Sequence, residues 1–424
     1  MNILKLIKFS FRNLFRNRRR TLITLLVTAS GFAALALVSG YISFTLHGLQ
    51  ALTIRNGFTG SGGTGHMQIF NQHSLEEEEL YPLQFGINDH KAVEQDIADI
   101  DGVSFVMSRI DFSGLISTGE KSVSFLGMGI DPEKEADLLS PLVKHKSMEF
   151  ENEALFNLKK TPNGVILGKG LASSLRADIG SYLMLISTTV DGAVNAVDVS
   201  VAGVISTGLK TVDRYYLLTH IPTVQRLIQT DRVSKLVVVL DETEDLPIIK
   251  PKVLETVNKY VPSQTLAVIE WQDLAGYYHS ILDLYNIIFN FLGFIVVIIV
   301  MLSCVNTMLM ATMERIKEIG TLKAIGISGR WITFVFLLEG LFIGIGSVFI
   351  GLVLHYVAAF IINSSMITMP PPPGMNISYT LEVYATTRYL PLIALLIISS
   401  TTFSSMLTLR KVRKISIVDA LNYV

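Results

Sequence analysis

Cysteine and charged side chains are scarce in this sequence. Its 424 residues include one cysteine, Cys304, so no disulfide can form within the chain. Charged residues make up 17% of the chain and hydrophobic residues 50%, and the mean hydropathy is +0.47. This composition argues against a disordered chain, a coiled coil and an ordinary cytosolic enzyme.

Sequence motifs for catalysis and metal binding are absent as well. No HExxH, CxxC or nucleophile-elbow pattern occurs, and the eight histidines do not cluster at metal-ligand spacing. The stretch Gly164–Gly170 is one residue short of a phosphate-binding loop and has glycine where a Mg²⁺-binding hydroxyl is needed, so we interpret it as a corner between a strand and a helix. We expect no catalysis by this chain, no cofactor or metal bound to it, and no nucleic-acid partner.

Four apolar runs are long enough to cross a membrane, which takes about 20 helical residues. None contains lysine, and the only acidic residue well inside any of them is Glu339. The first run is longer than the apolar core of a signal peptide and no clear cleavage site follows it, so we prefer a transmembrane helix to a signal peptide there. The predicted transmembrane helices are residues 21–46, 284–310, 331–362 and 389–409.

A polar stretch, residues 47–283, separates the first two predicted transmembrane helices. It contains patterns typical of strands and of amphipathic helices. We therefore predict a membrane α-helical fold of four transmembrane helices, with a large α+β extracytoplasmic domain inserted between helices 1 and 2. The predicted strands of that domain are Val103–Ile110, Lys121–Gly129, Gly164–Leu167, Tyr182–Ser187, Asp198–Val204 and Lys235–Leu240, and its predicted helices are His90–Ile100, Lys169–Ala177, Pro222–Thr230 and Pro247–Tyr260.

Basic residues are concentrated in three short stretches that share one side of the membrane if all four helices span it. Residues 1–20, 311–330 and 410–424 together hold 15 basic and 3 acidic residues, whereas residues 47–283 hold 19 basic and 31 acidic residues. Short basic flanks stay in the cytoplasm. We therefore expect a multi-pass membrane protein with both termini and the 311–330 loop in the cytoplasm, and with the large domain and the short loop 363–388 outside.

The first 20 residues combine apolar and basic side chains at helical spacing. Apolar residues recur every three or four positions, with lysines and arginines between them. This pattern predicts an amphipathic helix on the inner leaflet, with its apolar face in membrane lipid and its cations near anionic headgroups. The alternative is a frayed basic tail. The apolar residues are Leu4, Ile7, Phe11, Leu14 and Phe15.

The loop 311–330 carries the strongest local pattern in the chain. A short charged helix is predicted there, with charged residues on the faces between the members of an apolar stripe. Such a stripe on the inner face of a membrane protein suits docking into a groove on a soluble partner. The alternative is an interfacial helix without a partner. The stripe consists of Ile316, Ile319, Leu322 and Ile325.

Two further patterns lie inside the predicted transmembrane helices. Small residues at Gly340, Gly344, Ser347 and Gly351 would allow close helix packing. The neighbouring Glu339 is either a functional acid or a hydrogen-bond partner of an adjacent helix. The last predicted transmembrane helix is rich in hydroxyls, which either bond back to their own helix or line an interface with another chain. The hydroxyl residues are Ser399, Ser400, Thr401, Thr402, Ser404 and Ser405.

The charged loop resembles the coupling-helix signature of the MacB/FtsX/LolC-type permeases, the type VII or mechanotransmission ABC transporters. The order of segments along nearly the whole chain is similar too, and is closest to the LolC/LolE lipoprotein-releasing permeases. Within the extracytoplasmic domain, Phe125–Pro132 and Val165–Ser174 resemble stretches of LolC and LolE. The residues that carry the coupling signature are Glu314, Arg315, Glu318, Ile319, Gly320, Leu322, Lys323, Ala324, Ile325 and Gly326.

The resemblance implies a permease subunit in the inner membrane with a periplasmic domain. In this family two permease chains pair, as a homodimer or a heterodimer, and each coupling helix sits on a cytoplasmic ABC ATPase subunit of a dimer. ATP and Mg²⁺ are bound by that ATPase, whose closure is transmitted along the helices to the periplasmic domains. We therefore expect the ATPase to be a separate subunit.

The resemblance leaves more than one output open. The first is extraction or transport of a lipoprotein or lipid-like substrate from the inner membrane. The second is MacB-like efflux, or FtsX-like transmission, to a periplasmic adaptor or a cell-wall hydrolase, and the third is a membrane sensor without transport.

Two features depart from the family pattern. The C-terminal tail has Ile417 where the family usually has proline. The stretch Thr188–Asp198 is short and lacks arginine, unlike the LolC-type hairpin that captures a soluble lipoprotein carrier.

Overall fold

A computed structural model of the chain describes residues 7–8, 10–12, 18–55, 62–77, 79–139, 149–261, 263–325, 328–369 and 379–412. The chain divides into two compact units. The helical unit comprises residues up to His47, Ser280–Met369 and residues from Thr380 onward, and the α+β unit contains Gly48–His279. Most of the predicted N-terminal amphipathic helix, Gly326 and the tail with Ile417 lie outside the described residues.

The two kinds of regular element are numbered separately along the chain. The α-helices are α1 (Arg18–Arg55), α2 (His73–Glu76), α3 (His90–Ala98), α4 (Pro132–Leu139), α5 (Glu149–Lys160), α6 (Lys169–Leu175), α7 (Ile221–Ile228), α8 (Leu246–Asn258), α9 (Trp271–Leu274), α10 (Gly276–Glu314), α11 (Ile316–Ala324), α12 (Gly329–Ser364) and α13 (Leu390–Val412). The strands are β1 (Met67–Asn71), β2 (Val103–Ser117), β3 (Ser122–Ile130), β4 (Gly164–Gly168), β5 (Tyr182–Thr188), β6 (Val194–Ile205), β7 (Tyr216–His220), β8 (Lys235–Leu240), β9 (Leu266–Glu270), β10 (Thr368–Met369) and β11 (Tyr379–Thr380).

Helices α1, α10, α12 and α13 are long and apolar enough to cross a membrane. Helix α1 has 38 residues, or about 57 Å at 1.5 Å per residue, which exceeds the roughly 30 Å of a hydrocarbon core. Because the α+β unit lies between the first and second of these helices, the fold class predicted from the sequence is confirmed.

Two buried clusters hold the helical unit together. One joins Phe32 of α1 to Val300 of α10 and Ile397 of α13. The other joins Cys304 and Met308 of α10 to α11 and α12. The opposite side of α10 leaves its large apolar side chains exposed, as is typical of a lipid-facing helix. Those side chains include Leu284, Ile287, Phe291, Phe294, Ile298 and Leu302.

The long strand β2 belongs to two sheets of the α+β unit. Its first half pairs with β8, which is followed by β1 and β9. Its second half pairs with both β3 and β5. The pairings of β3 with β7, β7 with β4, β4 with β6 and β6 with β5 then close a ring of six strands.

The four-stranded sheet has the topology of a split βαβ unit. The order β1–α3–β2 is followed by β8–α8–β9, and all neighbouring strands are antiparallel. The apolar residues of both helices recur at helical spacing and are buried, such as Val93 and Ile97 on α3 and Val253 and Val257 on α8. The six-stranded ring is therefore an insertion between the two halves of this unit.

Every strand and helix predicted for this domain occurs in the structure, and several more are present. Strand β1, which is not among the predicted strands, has five residues and buries the polar Gln68 as well as Met67 and Ile69. The corner predicted at Gly164–Gly170 is formed by β4 and α6. Asp213 fills the space beside it, since a Cβ on Gly168 would lie 2.5 Å from the carbonyl oxygen of Asp213.

Candidate functional site at the turn between α10 and α12

Helix α11 continues almost directly from the end of α10. The N–H of Arg315 donates to the carbonyl of Thr312 at 3.1 Å, and the N–H of Ile319 donates to the carbonyl of Arg315 at 2.9 Å. The helical hydrogen bonding is thus interrupted for a single residue, Arg315.

One face of α11 is buried within the helical unit. Ile316 is 2% exposed and Ile319 is 6% exposed. Ile319 packs with Met308 of α10 and Phe336 of α12. Gly320 is buried on the same side. The apolar stripe is therefore not one docking surface: Ile316 and Ile319 belong to the core of the unit, which corrects the expectation for these two residues.

The other face of α11 is exposed. Ile325, just after the helix, is 74% exposed, and four residues of the helix are exposed with it. Leu322 and Lys323 lie in α11, but their side chains are outside the described part of the structure. The exposed helical residues are Lys317, Glu318, Thr321 and Ala324.

A buried ion pair fixes the beginning of α11 to α12. Nη1 of Arg315 donates to Oε1 of Glu339 at 3.0 Å, and the two residues are only 8% and 3% exposed. A charge in such surroundings requires a partner, because its desolvation costs several kcal/mol. The acidic residue inside the third membrane helix is thus bonded to the first residue after α10.

Contacts with α1 and with the N-terminal residues surround this ion pair. Arg20 of α1 forms an ion pair with Glu314, and both side chains are partly exposed. The hydroxyl of Ser10 donates to the carbonyl of Val335 in α12 at 3.3 Å. Exposed pairs of this kind contribute about 1 kcal/mol or less.

The small residues of α12 face two different helices. A Cβ on Gly340 would lie 2.2 Å from Oγ of Ser405 in α13, and one on Gly344 would lie 2.5 Å from Oγ1 of Thr401. A Cβ on Gly351 would instead lie 2.7 Å from the ring of Phe32 in α1. The hydroxyl of Ser347 is buried without a hydrogen-bond partner among the described residues.

Most hydroxyls of α13 bond back to their own helix, whereas that of Ser400 is buried without a hydrogen-bond partner in the described part of the chain. Ser405 donates to the carbonyl of Thr401 at 3.1 Å, and Thr401 donates to that of Ile398 at 3.0 Å. The same two residues also contact the α12 glycines, so they serve the helix interface within one chain. The hydroxyls of Ser399, Thr402 and Ser404 also donate to carbonyls of α13.

The α+β unit contains a second buried ion pair, for which no sequence motif exists. Nη2 of Arg109 on β2 lies 2.6 Å from Oε1 of Glu135 on α4, and Nε donates to Oε2 at 3.2 Å. Arg109 also donates to the carbonyl of Gly63. Arg109 is 0% exposed and Glu135 is 5% exposed. In the sequence, the only sign of this pair is an arginine inside the predicted strand Val103–Ile110.

His66 is a buried neutral histidine in the same unit. The N–H of Leu240 donates to its Nδ1 at 3.0 Å, so Nε2 carries the proton and donates to Oγ1 of Thr243 at 2.9 Å. Burial, with the charge of Arg55, lowers the pKa of His66 to about 4. Within the described chain, no group of three or more His, Cys, Asp or Glu residues could hold a metal ion.

Two protein-family models match the sequence. The model of the MacB-like periplasmic core domain matches residues 21–255, and the model of the FtsX-like permease C-terminal region matches residues 290–417. Together they match residues in both units of the chain.

Individual proteins are also similar to this chain, either over a short stretch or at low sequence identity. The ABC transporter permease YtrF of Bacillus subtilis is 44% identical over 73 residues, which are 17% of this chain and 17% of YtrF. The lipoprotein-releasing system transmembrane protein LolE of Haemophilus influenzae is 22% identical over 300 residues, 69% of this chain and 68% of LolE. The crystal structure of the periplasmic region of MacB from Actinobacillus actinomycetemcomitans aligns with a TM-score of 0.33 at 13% identity, covering 50% of this chain and 92% of that one.

Proposed function

Because the chain belongs to the MacB/FtsX/LolC family of ABC transporter permeases, we propose that it couples ATP hydrolysis by a separate cytoplasmic ATPase to a conformational change of its periplasmic domain. The chain itself has no catalytic role in this proposal. ATP and Mg²⁺ bind to the ATPase dimer, and a second permease chain, identical or different, completes the complex.

The two-sided burial of α11 carries this proposal. Its inner side is held by the Arg315–Glu339 pair and by Ile319, whereas its outer side exposes polar residues and Ile325. A helix that is fixed to the membrane helices and exposed on its other side suits docking on a soluble partner. In the proposal the ATPase contacts Lys317, Glu318, Thr321, Ala324 and Ile325, together with Leu322, Lys323 and Gly326.

The proposed orientation follows from charge. The basic stretches 1–20, 311–330 and 410–424 lie in the cytoplasm, so both termini and α11 are on the ATPase side of the inner membrane. The basic N-terminal segment then lies near the anionic lipid headgroups of the inner leaflet.

We propose that the substrate is a lipoprotein or another lipid-like molecule, taken from the inner membrane at its periplasmic face. The support is the similarity to LolE along 69% of the chain, together with the periplasmic domain family. The motion of the periplasmic domain would supply the work of extraction.

A second candidate output is favoured by the connection between β5 and β6. The two strands are joined by a tight turn in which the N–H of Thr189 donates to the carbonyl of Ala193 at 2.7 Å. A turn of this size offers no long arm for a soluble lipoprotein carrier. MacB-like efflux through an adaptor, or FtsX-like transmission to a cell-wall hydrolase, is therefore the alternative.

Mass spectrometry of the native complex separates these outputs. The full chain is purified from its own membrane in mild detergent, and all proteins and lipids that accompany it are identified. We expect an ABC ATPase together with lipoprotein or lipid. An ATPase with an adaptor or a hydrolase would support the second output, and no ATPase would contradict the coupling function.

A further inference from the structure

We propose that Arg315 is a positioning residue that acts through Glu339: their ion pair transmits the movement of α11 to α12, and the ATPase does not touch it. This inference rests on the proposed function. It separates two tasks within the coupling signature, because docking uses the exposed face of α11 and transmission uses the buried pair.

The burial of both partners excludes a direct role in docking. Arg315 and Glu339 are 8% and 3% exposed, whereas the exposed face of α11 begins at Lys317. Glu339 lies ten residues beyond the first residue of α12, or roughly 15 Å along the helix. A soluble protein that docks on α11 therefore meets neither side chain.

The ion pair lies where all four membrane helices meet. Glu339 is followed by Gly340, whose backbone packs against Ser405 of α13. Arg315 is preceded by Glu314, which ends α10 and pairs with Arg20 of α1. A force on α11 therefore reaches α12 through a charged hydrogen bond next to the packing contact of α12 with α13.

Stability alone does not explain a buried pair at this position. Replacing a buried ion pair by apolar residues of similar volume is often neutral or stabilising, whereas removing one partner leaves an uncompensated charge. A structural role and a transmitting role therefore predict different results for one variant, the double replacement R315M/E339M. Methionine is unbranched and fills irregular space without charge.

The experiment uses the complex with its own ATPase, purified from the native membrane and reconstituted. Cys304 is the only cysteine of this chain and is 0% exposed, so the chain carries a spin label only at E120C, in the exposed turn between β2 and β3. The spectrum of the complex without E120C, treated in the same way, is subtracted to remove label on the other subunits. The label spectrum is compared with ATP and with ADP. The matched control is K159M/E133M, which removes an exposed ion pair of the α+β unit.

We expect R315M/E339M to retain the ATPase, to hydrolyse ATP, and to unfold within about 3 °C of the unsubstituted complex, while the ATP-dependent change of the label falls at least fivefold. R315K, which keeps the charge pair, should retain at least half of that change. The control should behave as the unsubstituted complex.

Three results would overturn the inference. The first is a folded R315M/E339M complex with an undiminished label change, which would make the pair merely structural. The second is selective loss of the ATPase from the folded variant, which would make the pair part of the docking surface. The third applies if the double variant does not accumulate: an R315K complex that assembles but has lost the label change.

If the proposed function itself is wrong, the unsubstituted complex shows it before any variant is tested. In that case the unsubstituted complex already lacks either the ATPase or the ATP-dependent change of the label.

Discussion

The two units of the molecule each bury an arginine–carboxylate pair, and the two pairs connect different kinds of structural element. Arg315 and Glu339 join one helix to another. Arg109 and Glu135 join a strand to a helix, and Arg109 also donates to the carbonyl of Gly63, eight residues after the end of α1. The first pair is placed to set the relation between helices, whereas the second fixes an irregular segment where the chain enters a domain.

Because of this difference, replacing each ion pair by apolar side chains should have different consequences in the two units. A buried carbonyl that loses its donor costs about 1–3 kcal/mol, so removing the Arg109 pair harms the fold even when both charges are removed together. The pair of Arg315 and Glu339 lies between helices, where apolar packing is an adequate substitute. We therefore expect loss of stability in one unit and loss of transmission in the other.

Removing Arg109 alone should have the largest effect. R109L leaves the carboxylate of Glu135 buried without its cation, so we expect the α+β unit to lose about 3–5 kcal/mol of unfolding free energy. Because Trp271 is 1% exposed in this unit, its fluorescence reports unfolding in a W331F background. K159L, at an exposed ion pair, should change stability by less than about 1 kcal/mol. A loss below about 1 kcal/mol in R109L would contradict the role of this pair.

Acid should weaken the same unit through His66. Its pKa is about 4 in the folded unit and about 6.5 in an unfolded chain, so the unfolded chain binds the proton more tightly. The stabilisation is complete above pH 6.5 and is lost as the pH falls to 4, by up to about 3 kcal/mol. The measurement is the denaturation midpoint of the unit across this range.

A matched pair of substitutions separates His66 from the other histidines. In H66Q the α+β unit should lose less stability between pH 6.5 and pH 4 than the unsubstituted unit does. The control H73Q, at an exposed histidine, should lose as much as the unsubstituted unit. An unchanged slope in H66Q would show that another group causes the acid sensitivity.

The packing of α12 should be sensitive to a single methyl group. A Cβ on Gly340 would lie 2.9 Å from the carbonyl oxygen of Thr401 as well as close to Ser405. We expect G340A to cost about 1–3 kcal/mol in detergent, because the carbonyl cannot move aside. The control G293A meets no atom within 4 Å on α10, and alanine there should be neutral or slightly stabilising. Equal stability of the two variants would contradict the close contact of α12 with α13.

Reversing one exposed charge on α11 should have the smallest effect on the fold and act on assembly. E318K should weaken capture of the ATPase about tenfold, equivalent to about 1.4 kcal/mol, without changing thermal unfolding. The control E255K makes the same change at an exposed site of α8. The measurement is the fraction of ATPase retained by each variant as the salt concentration is raised. Equal retention by E318K and E255K would show that Glu318 is not part of the docking surface.

The sequence predicted those features that are local. The four membrane helices follow from the length of apolar runs, and the strands and helices of the inserted domain follow from alternation and helical spacing. Glu339 and Arg315 each belong to a pattern visible in the sequence, but their pairing depends on the packing of α11 against α12, which the spacing of residues does not encode.

Two other features were beyond sequence reasoning for physical reasons. The spacing of the apolar residues in α11 predicts a single stripe, but Ile316 and Ile319 are covered by their own unit whereas Ile325 is exposed. Arg109 and Glu135 are 26 positions apart, and only the folding of β2 against α4 brings them together.

The most direct test of the coupling function is a crosslink from Ile325, which is 74% exposed beside the exposed face of α11. Within this chain a photoreactive maleimide reacts at I325C alone, because Cys304 is buried, and native membranes of the chain without I325C show which crosslinks come from labelling of other proteins. We predict that mass spectrometry identifies an ABC ATPase as the crosslinked protein. Crosslinks to lipid alone, in membranes that contain the assembled complex, would contradict the account.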